Sequence, residues 1–195
     1  MKRFLRWIIS LTILMTFLVG QSTAVYADDG MKYKVEDYIA MLEELNSKYD
    51  VTVEYFDEYY QRQIDPQEIK KYIEDKLQPN TVKYNIPLQI GRAQGKGVKI
   101  VEQFPAEVTV YFTYSYSDVT GTEYFSSCDN VTSRTSTAAA ISKVVFTQTS
   151  YTGKVIDSKR TLAVSVFGTY ADYSGFIPTK IDNYKIYFEL YYNNI

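Results

Sequence analysis

The clearest strand pattern in the chain is Val108-Thr109-Val110-Tyr111-Phe112-Thr113-Tyr114-Ser115-Tyr116. Large apolar side chains occupy every second position, and Thr or Ser fill most of the positions between them. Because successive side chains of a β-strand point to opposite faces, this period of two predicts a strand with one buried and one partly solvated face. One-sided strands of this kind are typical of antiparallel sheets.

Weaker stretches with the same period lie on both sides and predict further strands. They span residues 82–90, 98–104, 141–151, 160–170 and 184–192. Pro87 places the first of them at a sheet edge, because proline cannot donate a hydrogen bond to a ladder. Several short strands separated by polar turns predict an antiparallel β-sandwich of immunoglobulin-like type over residues 81–195.

Two regions of the strand-rich part carry turn signals instead. Residues 118–137 are rich in Ser, Thr, Asp and Gly, which predicts a long connection with at most a short strand at 123–127. Thr152-Gly153 predicts a turn that ends one strand before the next begins.

A helical segment precedes the strands. Apolar residues with the three-and-four spacing of one helix face are Val35, Tyr38, Ile39, Leu42, Leu45 and Tyr49. A second helix begins where Asp65 can act as the cap and Pro66 fits the first turn, and Pro79 follows its end. The sequence therefore predicts an α+β protein, with two helices in residues 28–80 followed by the sandwich.

The first 27 residues have the layout of a secretory signal peptide. A basic start is followed by the mostly apolar stretch Trp7–Val19 and a tail of smaller residues that ends at Ala27. We expect cleavage after Ala27 and secretion of the remaining chain. An uncleaved N-terminal anchor is the alternative, although 13 residues are short of the roughly 20 that span a bilayer. No membrane span is predicted after residue 27.

Composition excludes several chemistries. The chain has no His, which removes Ser-His-Asp and Cys-His catalysis and every zinc site that needs a His ligand. Cys128 is the only Cys, so no internal disulfide can form, and burial of its thiol is expected. After residue 27 the chain carries five more acidic than basic side chains, which predicts no nucleic-acid partner. No cofactor or metal site is predicted.

Carboxylates are the catalytic groups that the sequence supplies in number. Asp118, Glu123 and Asp129 cluster in the predicted long connection, and a glycoside hydrolase needs two carboxylates on either side of one bond. Asp172 and Asp182 flank the last predicted turn. In Ser- and Gly-rich segments, however, Asp side chains usually form turns with their own backbone.

Two other residue groups are candidate sites. The predicted non-apolar strand faces carry Tyr111, Tyr187 and Tyr191, and Tyr suits recognition surfaces because it offers contact area and a hydroxyl at little entropic cost. Tyr also has high strand propensity, which explains such positions without a ligand. The adjacent pair Ser158-Lys159 is a weak candidate for catalysis, because neighbours in a strand point to opposite faces.

The function that these features favour is a secreted, non-enzymatic binding module. Its partner would be a protein or a cell-envelope polymer, held by Tyr side chains or by an unpaired sheet edge near Pro87. One alternative is a carboxylate-based hydrolase of envelope glycan that uses the acidic cluster. A second alternative is a structural or self-assembling extracellular protein.

Overall fold

The computed structural model describes residues 31–89, 93–175 and 177–192, so the predicted signal peptide at 1–27 lies outside the described residues. Four helices lie in the described part: α1 (Val35–Tyr49), α2 (Asp57–Gln61), α3 (Pro66–Leu77) and α4 (Thr137–Ile141). The strands there are β1 (Thr52–Val53), β2 (Val82–Ile86), β3 (Gln94–Gln103), β4 (Ala106–Ser117), β5 (Thr122–Thr135), β6 (Val144–Ile156), β7 (Thr161–Asp172) and β8 (Thr179–Tyr192).

The strands form two mostly antiparallel sheets. One sheet has the order β3-β4-β5. The other has the order β1-β8-β7-β6, and β2 also pairs with β8. The strand β2 runs parallel to β8, whereas every other pairing in the described residues is antiparallel. The predicted α+β class, with helices first and mostly antiparallel strands after them, is therefore confirmed.

The strand order does not confirm the immunoglobulin-like arrangement. Strands that are consecutive in sequence are neighbours in both β3-β4-β5 and β6-β7-β8. This up-and-down order differs from the Greek-key connections of immunoglobulin domains.

Two predicted connections are strands in the structure. Residues 118–137 were expected to form a long connection, but most of them belong to β5, which pairs with β4 along its whole length. The polar side chains of β5 fit a strand because one of its faces is largely exposed. Thr152-Gly153 is not a turn either. The strand β6 continues through it to Ile156, paired with β7.

The helical segment follows the predicted boundaries closely. Tyr38, Leu42 and Leu45 form the buried stripe of α1. The carboxylate of Asp65 accepts a hydrogen bond from the backbone N–H of Gln67 at 2.9 Å and caps α3, with Pro66 in the first turn. Two helices were expected here, and the link between them also contains the short helix α2. No helix in the described residues has the length and apolar character to cross a membrane.

Tyrosine hydroxyls join this segment to the sheet. The hydroxyl of Tyr59 donates to the carbonyl of Pro178 at 2.6 Å, and that of Tyr184 donates to the carbonyl of Lys76 at 3.2 Å. The hydroxyl of Tyr72 on α3 donates to the carboxylate of Asp172 at the end of β7, at 2.5 Å. These three bonds fix the helices against β7 and β8, because each satisfies a polar group that the packing removes from water.

Asp172 is the buried acceptor of this junction. Its carboxylate also accepts from the hydroxyl of Tyr170 at 3.2 Å and from the backbone N–H of Ser174 at 2.9 Å. Burial acts to raise the pKa of Asp172, but the hydrogen bonds from Ser174, Tyr72 and Tyr170 outweigh it, and the pKa lies below its ordinary value. Asp172 forms a turn with its own backbone, as its place beside the last predicted turn suggests, and its bonds to Tyr72 and Tyr170 make it a structural carboxylate as well.

Aromatic rings connect the two sheets. The ring of Phe125 on β5 lies 4.6 Å from that of Tyr192 on β8, measured between centroids. On the other side Phe125 meets Phe112 of β4 edge-on at 5.3 Å. Rings at these separations contribute beyond the area that they bury.

Cys128 is half-buried on β5. Its thiol lies against Gly153 of β6, where a β-carbon would overlap the sulfur. Burial raises the pKa of the thiol, and the nearby charge of Asp129 raises it further.

We predict that Asp172→Asn lowers the free energy of unfolding at pH 7 by about 2–3 kcal/mol, because hydrogen bonds to a charged acceptor are lost. An aspartate whose pKa is lowered by folding stabilises the protein above its ordinary pKa of about 4. That contribution is lost as the pH falls through the lower folded value. The variant should therefore also lose less stability than the wild type below about pH 4. Urea unfolding between neutral and acid pH measures both effects.

Asp182→Asn is the matched control, since the Asp182 side chain is 42% exposed and should contribute less than about 1 kcal/mol. Tyr72→Phe removes only the hydroxyl and should reproduce part of the Asp172→Asn loss. Equal losses in the two Asn variants would contradict the role assigned to Asp172.

We predict that Cys128 reacts slowly with iodoacetamide in the folded protein. Because burial raises the thiol pKa, the midpoint of the rate against pH should lie above the ordinary value of about 8.5. Mass spectrometry should show alkylation at pH 8 roughly tenfold or more slower in buffer than in urea. Cys128→Ser is the blank, and equal rates in buffer and urea would refute the prediction.

Candidate functional site: a groove beside strand β8

The outer edge of β8 is covered by two strands that leave a gap between them. The strand β1 pairs with Ile181 and Asp182, and β2 pairs with residues 188–192. No described strand pairs with residues 183–187 on this edge. The gap spans five residues, which corresponds to about 17 Å of extended chain.

A bend in β8 lies at the start of the gap. Asn183 has a φ of 62°, and the register of β8 against β7 shifts at this point. The side-chain amide of Asn183 donates to the carbonyl of Asp50 at 2.7 Å, and Asp50 itself ends α1 with a φ of 53°. Asn and Asp tolerate this left-handed conformation better than most residues. The bend is thereby anchored to the C-terminal end of α1.

A groove of about 710 Å³ lies over the gap. Its described lining comes from the ends of α1 and α3, the link that follows α3, the β3–β4 turn and β8. The lining residues are Lys48, Tyr49, Val51, Asp75, Lys76, Leu77, Gln78, Pro79, Asn80, Gln103, Phe104, Asn183, Tyr184, Lys185, Ile186 and Tyr187. The volume is typical of ligand pockets.

Backbone groups of β8 face this groove. Alternate residues of a strand direct their N–H and C=O groups to the same edge. The N–H of Tyr192 donates to Arg160 on the β7 side, so Lys185 and Tyr187 face the opposite, groove side. In agreement, the carbonyl of Tyr187 accepts from the side-chain amide of Gln103 at 3.3 Å. Gln103 therefore occupies the carbonyl of Tyr187, and the backbone N–H and C=O groups of Lys185 lie beside the gap.

Positive charge predominates at the groove. Lys48, Lys76 and Lys185 line it, against the single carboxylate of Asp75. Lys48 forms an ion pair with Glu74 at 2.8 Å, and the hydrogen bond to Glu74 raises its pKa above the ordinary value. The ammonium groups of Lys76 and Lys185 lie over aromatic rings instead, and neither is ion-paired with a described carboxylate. Two of the three cations therefore keep their charge uncompensated in a chain that is acidic overall.

Of the predicted tyrosines, only Tyr187 lines the groove. Its hydroxyl donates to Glu189 at 2.8 Å, a hydrogen bond that raises the pKa of Tyr187. Tyr191 lies on the same face of β8 but beside β2, where it pairs with Asn85. Tyr111 lies on β4 in the other sheet, paired with Val98. The structure does not bring the three tyrosines together, and their role in binding stays a prediction.

The predicted acidic cluster is divided as well. Asp118 is exposed in the β4–β5 turn, and Asp129 is exposed on β5. Hydrogen bonds from Ser127 and Thr113 lower the pKa of Asp129. Glu123 is 1% exposed on the same strand, and its Oε1 has no hydrogen-bond partner. Glu123 and Asp129 are six positions apart on one strand, which corresponds to about 20 Å, whereas the two carboxylates of a glycoside hydrolase lie about 5–10 Å apart.

The sequence did not indicate most of the groove residues. Gln103 is far in the chain from Asn183 and Lys185, which lie together on β8, and none of the three belongs to a motif. The sequence pattern that could have indicated the groove is the two-residue spacing of Lys185 and Tyr187, which places both side chains on one strand face.

Comparisons with known proteins give no family. No protein-family model and no curated protein matches the chain. Among solved structures, the chain is similar to a two-domain protein of unknown function from Bacteroides thetaiotaomicron, determined at 2.60 Å resolution. The two are 14% identical, with a TM-score of 0.31 over 65% of this chain and 60% of that one, so the match spans less than two thirds of the other protein.

Proposed function

We propose that this protein is a secreted, non-enzymatic binding module that holds an extended, acidic polypeptide segment in the β8 groove. The observation that carries the proposal is the outer edge of β8 at residues 183–187, which lies between β1 and β2 and has no described partner strand, while the inner edge pairs with β7. Strand addition to an unpaired edge is a common way to bind an extended peptide. The proposal does not require an immunoglobulin-like connectivity, since the groove depends only on β8 and its neighbours.

The backbone of Lys185 supplies the pairing groups. A peptide that enters the groove in extended form would exchange hydrogen bonds with it, while Gln103 already occupies the carbonyl of Tyr187. The gap therefore accommodates a short segment of the partner. The side chains of Tyr187 and Phe104 line the same groove, and Phe104 is 45% exposed, so the partner also gains apolar contact.

Charge selects the chemistry of the partner. Lys76 and Lys185 lack described carboxylate partners, and an acidic segment would supply them. Complementary charge of this kind increases the association rate and excludes basic competitors. A cell-envelope polymer is the competing ligand, and it differs because it offers no peptide backbone to pair with β8.

We predict that a fluorescein-labelled peptide of about eight residues, alternating Glu and Val, binds the mature protein, because it can span the gap and pair with β8. Lys76→Glu and Lys185→Glu should each weaken binding roughly fivefold to tenfold, which is about 1 kcal/mol. Fluorescence anisotropy measures these affinities. Lys154→Glu is the matched control, because Lys154 is an exposed lysine on β6, outside the groove.

Two further probes separate backbone pairing from charge attraction. The same peptide N-methylated at alternate backbone nitrogens should lose most of its affinity, because it can no longer donate to β8. Equal binding of the methylated and unmethylated peptides would overturn the proposal. Binding of alginate, an anionic polysaccharide, in place of the peptide would do so too and would favour the envelope-polymer alternative.

Secretion rests on the predicted signal peptide. When the full chain is expressed in a bacterial host, we predict that the protein in the medium begins at Asp28. N-terminal sequencing of the medium and membrane fractions measures this. An intact N-terminus in the membrane fraction would support the uncleaved anchor instead.

A further inference from the structure

A second depression, of about 490 Å³, lies where the β4–β5 turn meets the chain between β6 and β7. Hydroxyl groups and two cations dominate its described lining. The lining residues are Ser117, Thr120, Thr122, Tyr124, Ser158, Lys159 and Arg160. No carboxylate is among them, although the chain carries more acidic than basic residues overall.

The chain between β6 and β7 adopts a left-handed turn. Asp157, Ser158 and Lys159 have φ values of 50°, 52° and 71°. Non-glycine residues adopt this conformation at a cost, and such strain is often found at functional sites. Here the turn brings Ser158, Lys159 and Arg160 to one side of the depression. Turns with successive backbone N–H groups also form concavities that bind anions.

The two cations differ in how they are held. The ammonium group of Lys159 lies over the ring of Tyr124, 5.2 Å from its centroid. Arg160 donates from Nη2 to the carbonyl of Tyr192 at 3.1 Å, which fixes the guanidinium, while its Nε has no acceptor. Neither cation forms an ion pair with a described carboxylate. The Nε is buried, so the guanidinium acts on a ligand in the depression chiefly through its fixed charge, which suits an oxyanion.

The hydroxyl groups opposite the cations are already ordered. The side-chain oxygens of Thr120 and Thr122 lie 2.7 Å apart in a hydrogen bond, and the Oγ of Ser117 accepts from the backbone N–H of Thr120 at 3.4 Å. Each hydroxyl can donate as well as accept, so this side can bond the outer oxygens of a ligand.

We propose that this depression binds a phosphate group, either free or carried as an ester on a saccharide. Lys159 and Arg160 supply the charge, and Ser158, Thr120 and Thr122 supply hydrogen bonds. A phosphate group fits better than a carboxylate, because it offers more negative charge to the two cations and more acceptor oxygens to the hydroxyl groups. This site is separate from the β8 groove, and it does not depend on the function proposed for that groove.

The test is a titration of the 15N-labelled mature protein, followed by backbone amide resonances, with inorganic phosphate, glucose 6-phosphate and glucose. Both phosphate compounds should shift the amides of Ser158, Lys159, Thr120 and Thr122, and glucose should not. Tighter binding of glucose 6-phosphate indicates an ester ligand, and equal binding indicates that the phosphate group alone is recognised. Lys159→Gln removes the charge of an exposed side chain and leaves the backbone of the turn in place. This variant should bind phosphate roughly threefold to tenfold more weakly.

Lys154→Gln is the matched control and should bind phosphate as the wild type does. Arg160→Gln should weaken binding further. If that variant does not fold, Lys159→Gln decides alone. Absence of shifts, shifts spread over many lysines, or an unchanged affinity in Lys159→Gln would each overturn the proposal.

Discussion

The structure depends on the pairing of one edge of β8 with two strands that run in opposite directions. The strand β7 covers the inner edge of β8, whereas β1 covers the start of the outer edge in antiparallel and β2 covers its end in parallel. Because β1 and β2 run in opposite directions along the same edge, the chain between them leaves the sheet and returns to it. This connection contains the helices α2 and α3, and the groove lies over the gap between the two strands.

Tyrosine maintains this arrangement. Tyr59, Tyr72 and Tyr184 each combine a ring packed in the core with a hydroxyl that bonds across the junction of helices and sheet. Phe or Leu would fill the same space but would remove one of the donors to the carboxylate of Asp172 and the hydroxyl donors to two carbonyls. Packing and these hydroxyl bonds thus account for several of the tyrosines.

Periodicity predicted the elements that have one apolar face, among them β4, β8 and α1. An element with one buried face needs apolar residues at the regular spacing of that face, and this spacing is visible in the sequence. It failed for β5, whose polar residues resemble a loop and are ordered by pairing with β4. It also failed at Thr152-Gly153, where Gly153 serves close packing against Cys128 rather than a turn. Tyr187 was selected for its place on a strand face, but its neighbours Gln103 and Asn183 could not be found this way.

Composition and local period were enough to predict the class of fold, with a helical segment before most of the strands, and the chemistries that a chain without His and with one Cys can perform. Which strands flank β8, where its outer edge stays unpaired, and that most of residues 118–137 form a strand were settled by tertiary contacts. Such relations depend on contacts between residues far apart in the chain, and no local pattern encodes which distant segments meet.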